Sequence, residues 1–279
     1  MTVPLEGGGL AGRIGDLLSR LRDRRPLIHI ITNLVTMRDV ADATLALGAL
    51  PVMALAGQEV EEIASASGAL VLNLGTPTHE RFEAMIRAGR AASAAGIPII
   101  VDPVGVGASA FRLVNTRRAL AEFRVAVVRA NLGEAAAMLG AEGTMRGVES
   151  RDPSSAGDVL AARLARMTGA VAAVTGPHDH ASDGRRHLSV QNGSPMLTRI
   201  SGGGDLATAI IAAFAAIEPD ALIAAAAGLA ATGVAAEDAA HEARGPGSFK
   251  VALIDALAGL SPERLAAGAR ISIRDAAWT

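Results

Sequence analysis

The chain has 279 residues, 26 basic and 28 acidic side chains and a net charge of −2. Nothing in this mixed, balanced charge suggests a nucleic-acid surface, and the absence of cysteine excludes disulfides and thiolate metal sites. Half the residues are apolar but only 2% are aromatic, so the core must be built from Ala, Leu, Ile and Val. The length suits a single α/β domain over residues 1–279, and the composition fits a cytoplasmic protein. No secretory leader is read in MTVPLEGGGL, and residues 1–10 are expected to form a mobile tail.

Taken in order, Ile14, Leu17, Leu18 and Leu21 recur at helical spacing, which predicts a helix over 11–23 closed by Pro26. A short apolar strand follows at 27–31, then a helix at 37–47 ending on Gly48. The pattern continues with a strand at 52–55, a short helix at 59–65, a buried strand at 69–74 and a long helix at 78–95. Next come a strand at 97–101, a helix at 113–123 and a strand at 125–128. A helix starting at Asn131 runs to Leu139, another covers 154–168, and a strand at 170–174 ends on Thr175-Gly176. Asp183-Gly184 then reads as a turn between antiparallel strands at the sheet edge, around Ala181 and over 187–191. Helices dominate after that, at 205–216, 220–239 and about 247–258, while 262–279 is weakly patterned. The apolar region 207–240 is alanine-rich and interrupted by Glu218, Pro219 and Asp220, which favours buried helices over membrane spans.

Alternation of strand and helix over the first 175 residues implies a mainly parallel sheet with helices on both faces. Ligands bind such sheets at the carboxyl ends of the strands. Polar or glycine residues fall at five such ends: Thr32-Asn33, Asn73-Gly75-Thr76, Asp102, Arg129 with Asn131 and Glu134, and Thr175-Gly176.

The densest signal is ISGGGDLATAIIAA, 200–213, a glycine loop opening into an apolar helix. Unpaired N–H groups and the helix dipole make such a start an anion site. An aspartate there, Asp205, would repel a resting phosphate. It makes sense where a hydroxyl must lose its proton during phosphoryl transfer, with Gly202 and Gly204 close to the substrate. The plainer reading is an N-cap. Asp102 is placed to hold Mg²⁺ and reads equally as an Asp-Pro turn. Glu134 joins it as a second acidic ligand or stands as a charge favoured at a helix N-terminus. Arg129 suits a phosphate contact or an ion pair. Thr175 and Gly176 offer a hydroxyl and an N–H to a nucleotide, as an ordinary turn would. His29 reads as a core histidine, and His178 and His180 beside Asp179 as a solvated loop. Gly245-Pro246-Gly247-Ser248 is a rigid turn that shapes a nucleotide pocket or simply starts a helix.

Several stretches together resemble the hydroxyethylthiazole kinase family, within the ribokinase-like superfamily: PLIHIITNLVT (26–36), LALGALPVMA (45–54), LVLNLGT (70–76), DPVGVGAS (102–109), RANLGEA (129–135), VTG (174–176), SDG (182–184), the glycine loop and GPGSF (245–249). The resemblance implies a three-layer ribokinase-like sandwich and ATP-dependent phosphorylation of 4-methyl-5-(2-hydroxyethyl)thiazole, a thiamine-salvage step. It implies a homotrimer with active sites between subunits, while composition and charge set the expectation of no membrane and no nucleic-acid partner. Met53 and Gly202 match substrate positions, with Asn33 and Gly204 as further candidates beside them. Arg129 and Thr175, with the adjoining Gly176, match ATP positions. Asp102 and Glu134 match the acidic residues of the Mg²⁺–phosphate region. The chain departs from the family in having Asp205 where a cysteine is usual, which is the general superfamily base. It also has SGGG in place of Gly-Thr-Gly, expected to leave the loop looser. Three other readings remain at this point. One is a kinase for another small alcohol. Another is a lyase like the ATP-dependent dehydratases of damaged nicotinamide cofactors. The third is a non-catalytic thiazole- or nucleotide-binding protein.

Overall fold

The protein is described by a computed structural model covering residues 7–140 and 153–275. The first six residues of the expected tail and the last four of the weakly patterned end lie outside the described residues.

One nine-stranded sheet runs through the described residues in the order β2-β1-β3-β4-β5-β6-β7-β8-β9. Its first six strands, β1 (Leu27–Ile31), β2 (Leu50–Val52), β3 (Ala69–Asn73), β4 (Ile99–Asp102), β5 (Val127–Asn131) and β6 (Val171–Thr175), pair in parallel. The last three, β7 (Asp179–Ser182), β8 (Arg186–Val190) and β9 (Ile271–Asp275), add antiparallel. Successive strand residues face opposite sides, and two apolar layers result. On one side Ile28, Ile30, Val71, Ile100, Val127 and Ala173 meet α1 (Gly7–Arg24), α2 (Met37–Leu47), α8 (Gly203–Ala215), α9 (Ala221–Glu242), α10 (Pro246–Gly259) and α11 (Pro262–Gly268). On the other, Ile31, Leu70, Leu72, Val101, Val128 and Ala172 meet α3 (Val60–Ala66), α4 (His79–Ala94), α5 (Ala110–Glu122), α6 (Leu132–Met138) and α7 (Pro153–Thr168).

Most expected elements are present, with four differences. The expected tail is partly helix: α1 begins at Gly7, and Leu10 is fully buried, because its side chain continues the stripe of Ile14, Leu17 and Leu21. The second strand lies earlier than expected. Val52 pairs with His29, after which the His29 side chain, not a strand ladder, holds the chain through Nε2 to the Ala54 carbonyl at 2.9 Å. The weakly patterned end contains α11 and the edge strand β9, whose pairing with β8 no local pattern announced. His180, expected in a solvated loop with His178, is a buried residue of β7; only His178 is exposed. The turn 245–248 serves as the start of α10, where the Ser248 hydroxyl accepts the N–H of Arg244 and Gly245.

The alanine-rich helices take up the work that aromatics do elsewhere. α9 has the length and apolarity to cross a membrane, yet Leu222 through Ala236 are all buried inside the fold. It crosses α8 at Gly228, where an added Cβ would lie 2.5 Å from Ile211 Cγ1 and 2.6 Å from Ile211 Cα. Backbone stands in the way, so a side chain there must separate the helices. Gly228→Ala should lower the thermal midpoint by the equivalent of about 1–3 kcal/mol. Gly259→Ala, with nothing within 4 Å of the added Cβ at the end of α10, should not lower the midpoint. Equal midpoints for the two variants would refute the close crossing.

Candidate active site

The two-residue period of the strands sets the site. Val71, Ile100, Val127 and Ala173 belong to the core beneath α8. Two residues further on, Asn73, Asp102, Arg129 and Thr175 therefore point to the same side, at or near the carboxyl ends of four adjacent strands. The first turn of α8 lies against them.

Asp205 is not an N-cap. The cap is Gly202, at φ 85°, and Asp205 is the third residue of the helix. Its carboxylate turns back to the strands and accepts three hydrogen bonds. Asn33 Nδ2 donates to Oδ2 at 2.8 Å, Thr36 Oγ1 to Oδ2 at 2.5 Å, and Asn73 Nδ2 to Oδ1 at 2.9 Å. Asn33 is itself fixed: its Oδ1 accepts the N–H of Val35 at 2.9 Å and of Thr36 at 3.1 Å, and its Nδ2 also reaches Asn73 Oδ1 at 3.2 Å. The amide expected to touch substrate is thus occupied in orienting Asp205. On Asp205, Oδ1 carries one donor where Oδ2 carries two, so Oδ1 keeps a lone pair for a further proton donor.

The glycine loop is held tightly, contrary to the looseness expected of SGGG. An added Cβ at Gly202 would meet Thr36 Cγ2 at 2.4 Å, and one at Gly204 would meet Arg129 Nη1 at 2.2 Å. The missing side chains make room for the protein's own groups, and they bring the helix start down onto the strand ends. The first intrahelical bond runs from the Leu206 N–H to the Gly202 carbonyl at 2.9 Å. The N–H groups of Gly203, Gly204 and Asp205 precede it and lack an intrahelical acceptor.

Under this turn lies a buried charge cluster. Asp102 is fully buried; Thr208 Oγ1 donates to its Oδ2 at 2.6 Å, and Arg129 Nη1 lies 3.7 Å from the same oxygen. Asp102 Oδ1 has no hydrogen-bond partner. Burial pushes the Asp102 carboxyl up to about 7; Arg129 and Thr208 oppose the shift, and Asp205 and Glu134 add to it. Arg129 is also buried, with Nη2 donating to Thr175 Oγ1 at 2.5 Å. Glu134 forms a capping box with Asn131: one oxygen accepts the Asn131 N–H and the other the Gly105 N–H, both at 2.9 Å. That geometry is the helix-start reading, extended to the loop after β4. Met53, half-buried just beyond β2, is held next to Ala54 by His29.

Thr175 and Gly176 open onto a cleft of about 460 Å³, also lined by Asp179, Gly203, Thr232 and Gly233. This is the size of a small-molecule site. Asp179 accepts the Gly176 N–H at 3.1 Å, and burial pushes its carboxyl up to about 6. The cleft and Asp205 lie on the two sides of the helix start.

Sequence reasoning missed Thr36 and Thr208 and left Asn73 without a role. Thr208 carried a readable signal as the one polar residue in the buried run 206–215. The pairing of Thr36 with Asp205 spans 169 positions, and no local pattern reports it.

The raised Asp102 pKa sets a testable pH dependence. Between about pH 4 and 7 the folded chain keeps a proton that the unfolded chain releases, so this group's contribution to stability falls as pH rises through that window. Asp102→Asn lacks that component. The midpoint of the variant minus that of the ligand-free parent should therefore increase from pH 5 to pH 8 in parallel calorimetric scans. A difference that does not change with pH would rule out the shifted carboxyl.

Comparison with known proteins agrees with this architecture. The sequence profile of the hydroxyethylthiazole kinase family matches residues 18–263. A hydroxyethylthiazole kinase of Desulforudis audaxviator is 50% identical over 263 residues, covering 93% of this chain and 95% of its own. The solved structure of a hydroxyethylthiazole kinase protein from Pyrococcus horikoshii OT3 superimposes with a TM-score of 0.85 at 39% identity, over 94% of this chain and 99% of that one. A pyridoxal kinase from Staphylococcus aureus shares the fold, with a TM-score of 0.61 at 16% identity over 89% of this chain and 98% of its own. Similarity at this level over nearly the whole length establishes that the chain belongs to the hydroxyethylthiazole kinase family.

Proposed function

We propose that the protein transfers the terminal phosphoryl group of ATP to the hydroxyl of 4-methyl-5-(2-hydroxyethyl)thiazole, a step of thiamine salvage in the cytoplasm. The observation that carries this reading is the Asp205 carboxylate, fixed by Asn33, Thr36 and Asn73 at the open start of α8. ATP occupies the cleft beside Thr175 and Gly176, with its phosphates toward the N–H groups of Gly203, Gly204 and Asp205. The thiazole alcohol lies on the other side of the turn, toward Met53. As the alcohol oxygen bonds to the γ-phosphorus, its proton passes to Asp205 Oδ1, and the bond from phosphorus to the bridging oxygen breaks to release ADP. The three donors keep the carboxylate in one orientation, so no reorganisation accompanies the transfer. Loop N–H groups and the helix dipole stabilise charge on the transferring group.

The unpartnered, buried Oδ1 of Asp102 fits a cation ligand, directly or through water. Glu134 joins it from the loop side, with both oxygens already accepting backbone N–H groups. Bound there, Mg²⁺ would neutralise charge on the nucleotide phosphates. Arg129, beneath Gly204, supplies fixed positive charge to the same region.

A homotrimer with its sites between subunits belongs to the same proposal. Leu34 and Val35, next to Asn33, are 63% and 66% exposed, and Phe111 and Val114 at the start of α5 are 46% and 62% exposed. A subunit contact would cover such side chains. Light scattering at micromolar concentration should give three times the 28.2 kDa chain mass, and a monomer would remove the shared site.

The catalytic assignment is tested by incubating the protein with ATP, Mg²⁺ and the thiazole alcohol and detecting the phosphorylated thiazole by mass. Asp205→Asn should lower kcat about 10²–10⁴-fold, with nucleotide affinity largely kept. Asp205→Cys should keep partial activity, since a thiol near a helix N-terminus ionises more readily. A wild-type kcat in the Asn variant would mean that the proton leaves by another route.

A further inference from the structure

A second polar cluster lies under α7, on the opposite face of the sheet from α8. Asp158 comes from α7, His180 from β7 and His187 from β8, with exposures of 7%, 7% and 1%. None of the three lines the nucleotide cleft. Each offers one ligand atom, and these atoms all lie within 4.8 Å of one another. Two imidazoles and a carboxylate are expensive to bury without satisfied polar atoms.

Asp158 Oδ1 and His187 Nδ1 face each other at 2.9 Å, an ion-pair distance without hydrogen-bond geometry. The other atoms on these residues are in use. Arg274 of β9 pairs with Asp158 Oδ2, and His187 Nε2 lies 3.1 Å from His180 Nδ1. A neutral imidazole can present a lone pair to a metal. Space is held for His180 by Gly157, where a Cβ would lie 2.5 Å from the ring carbon Cδ2.

We propose that Asp158, His180 and His187 form a binding site for a divalent transition-metal ion, zinc by preference, separate from the phosphoryl-transfer site. Two nitrogens and one carboxylate oxygen are a donor set that suits zinc. Ligand atoms on one tetrahedral zinc sit about 3.4 Å apart. The cluster therefore reaches ligand distance by side-chain shifts of about an ångström, with the His180–His187 contact giving way to the ion. Arg274 on Oδ2 orients the carboxylate and leaves Oδ1 to the metal, as outer partners of metal ligands do. Bound there, the ion would join α7 to the hairpin of β7 and β8, whose first residue, Asp179, lines the nucleotide cleft.

Equilibrium dialysis of the purified protein against zinc, with millimolar Mg²⁺ present to occupy the phosphoryl-transfer site, is the test. We expect one zinc retained per chain and a higher thermal midpoint with zinc than without. His187→Gln and Asp158→Asn should each weaken retention at least tenfold. No retained zinc, or equal retention by the folded variants, would overturn the site. Should the variants not fold, Co²⁺ bound to the unmodified protein provides the second measurement. Its paramagnetism should shift the ring resonances of His180 and His187 strongly and leave that of His29, five strands away in β1, in place. Shifts confined to other residues would overturn the proposal.

Discussion

The carboxylate of Asp205 ties the two halves of the site to each other. Its donors come from the ends of β1 and β3 and from the start of α2, while the carboxylate itself rides on α8. Those bonds determine where the helix start sits above the sheet. The position of the helix start then determines where the free N–H groups point and how near the cleft comes to the acceptor side. Gly202 and Gly204 permit the approach, because a Cβ at either would strike Thr36 or Arg129. The residue proposed to accept the proton is thereby also the link that brings the helix-start N–H groups and the ends of β1 and β3 together.

Beneath that link the protein keeps charges where water does not reach. Asp102 and Arg129 are both buried, 3.7 Å apart, and neither is fully satisfied: Asp102 Oδ1 and Arg129 Nε lack partners. A pair of this kind adds little to stability, since desolvation offsets the attraction. Its retention is in keeping with the phosphoryl-transfer role proposed for this region. Thr208, a single hydroxyl inside an apolar helix, holds Asp102 from above and couples the cluster to the helix that carries Asp205.

The surroundings are closely packed for a reason visible in the composition. With so few aromatic residues, volume is filled by Ala, Val, Leu and Ile, and helices pack close, as α9 does on α8 at Gly228. A closely packed interior transmits displacement instead of absorbing it. The placement of α8, and hence of Asp205, therefore depends on contacts far from the chemistry. His29 shows the same economy: buried in β1, it reaches across to Ala54 and sets the segment that carries Met53.

Much of this was legible in the residues alone. The alternation of apolar strands with amphipathic helices reports a parallel sheet, because periodicity is a local consequence of backbone geometry. The strand ends mark the site because parallel strands open at one edge. The helix started by Asn131 was readable because a cap acts within a few residues of itself. Other features needed the folded chain. That Asn33 also orients Asp205 appears only with its partners, 40 and 172 positions away. Asp205 reads equally as a cap until the turn places Gly202 there. β9 has no strong pattern of its own and exists through its pairing with β8. His180 looked solvated because the residues before it are loop-like, and it is buried because α7 covers that face of the hairpin. The sequence by itself determined the order of elements and the chemical inventory at the strand ends, since both follow from interactions between near neighbours. Which side chain faces which, and which polar atoms are left without partners, only the tertiary structure decided, because those facts depend on distances between residues far apart in the chain.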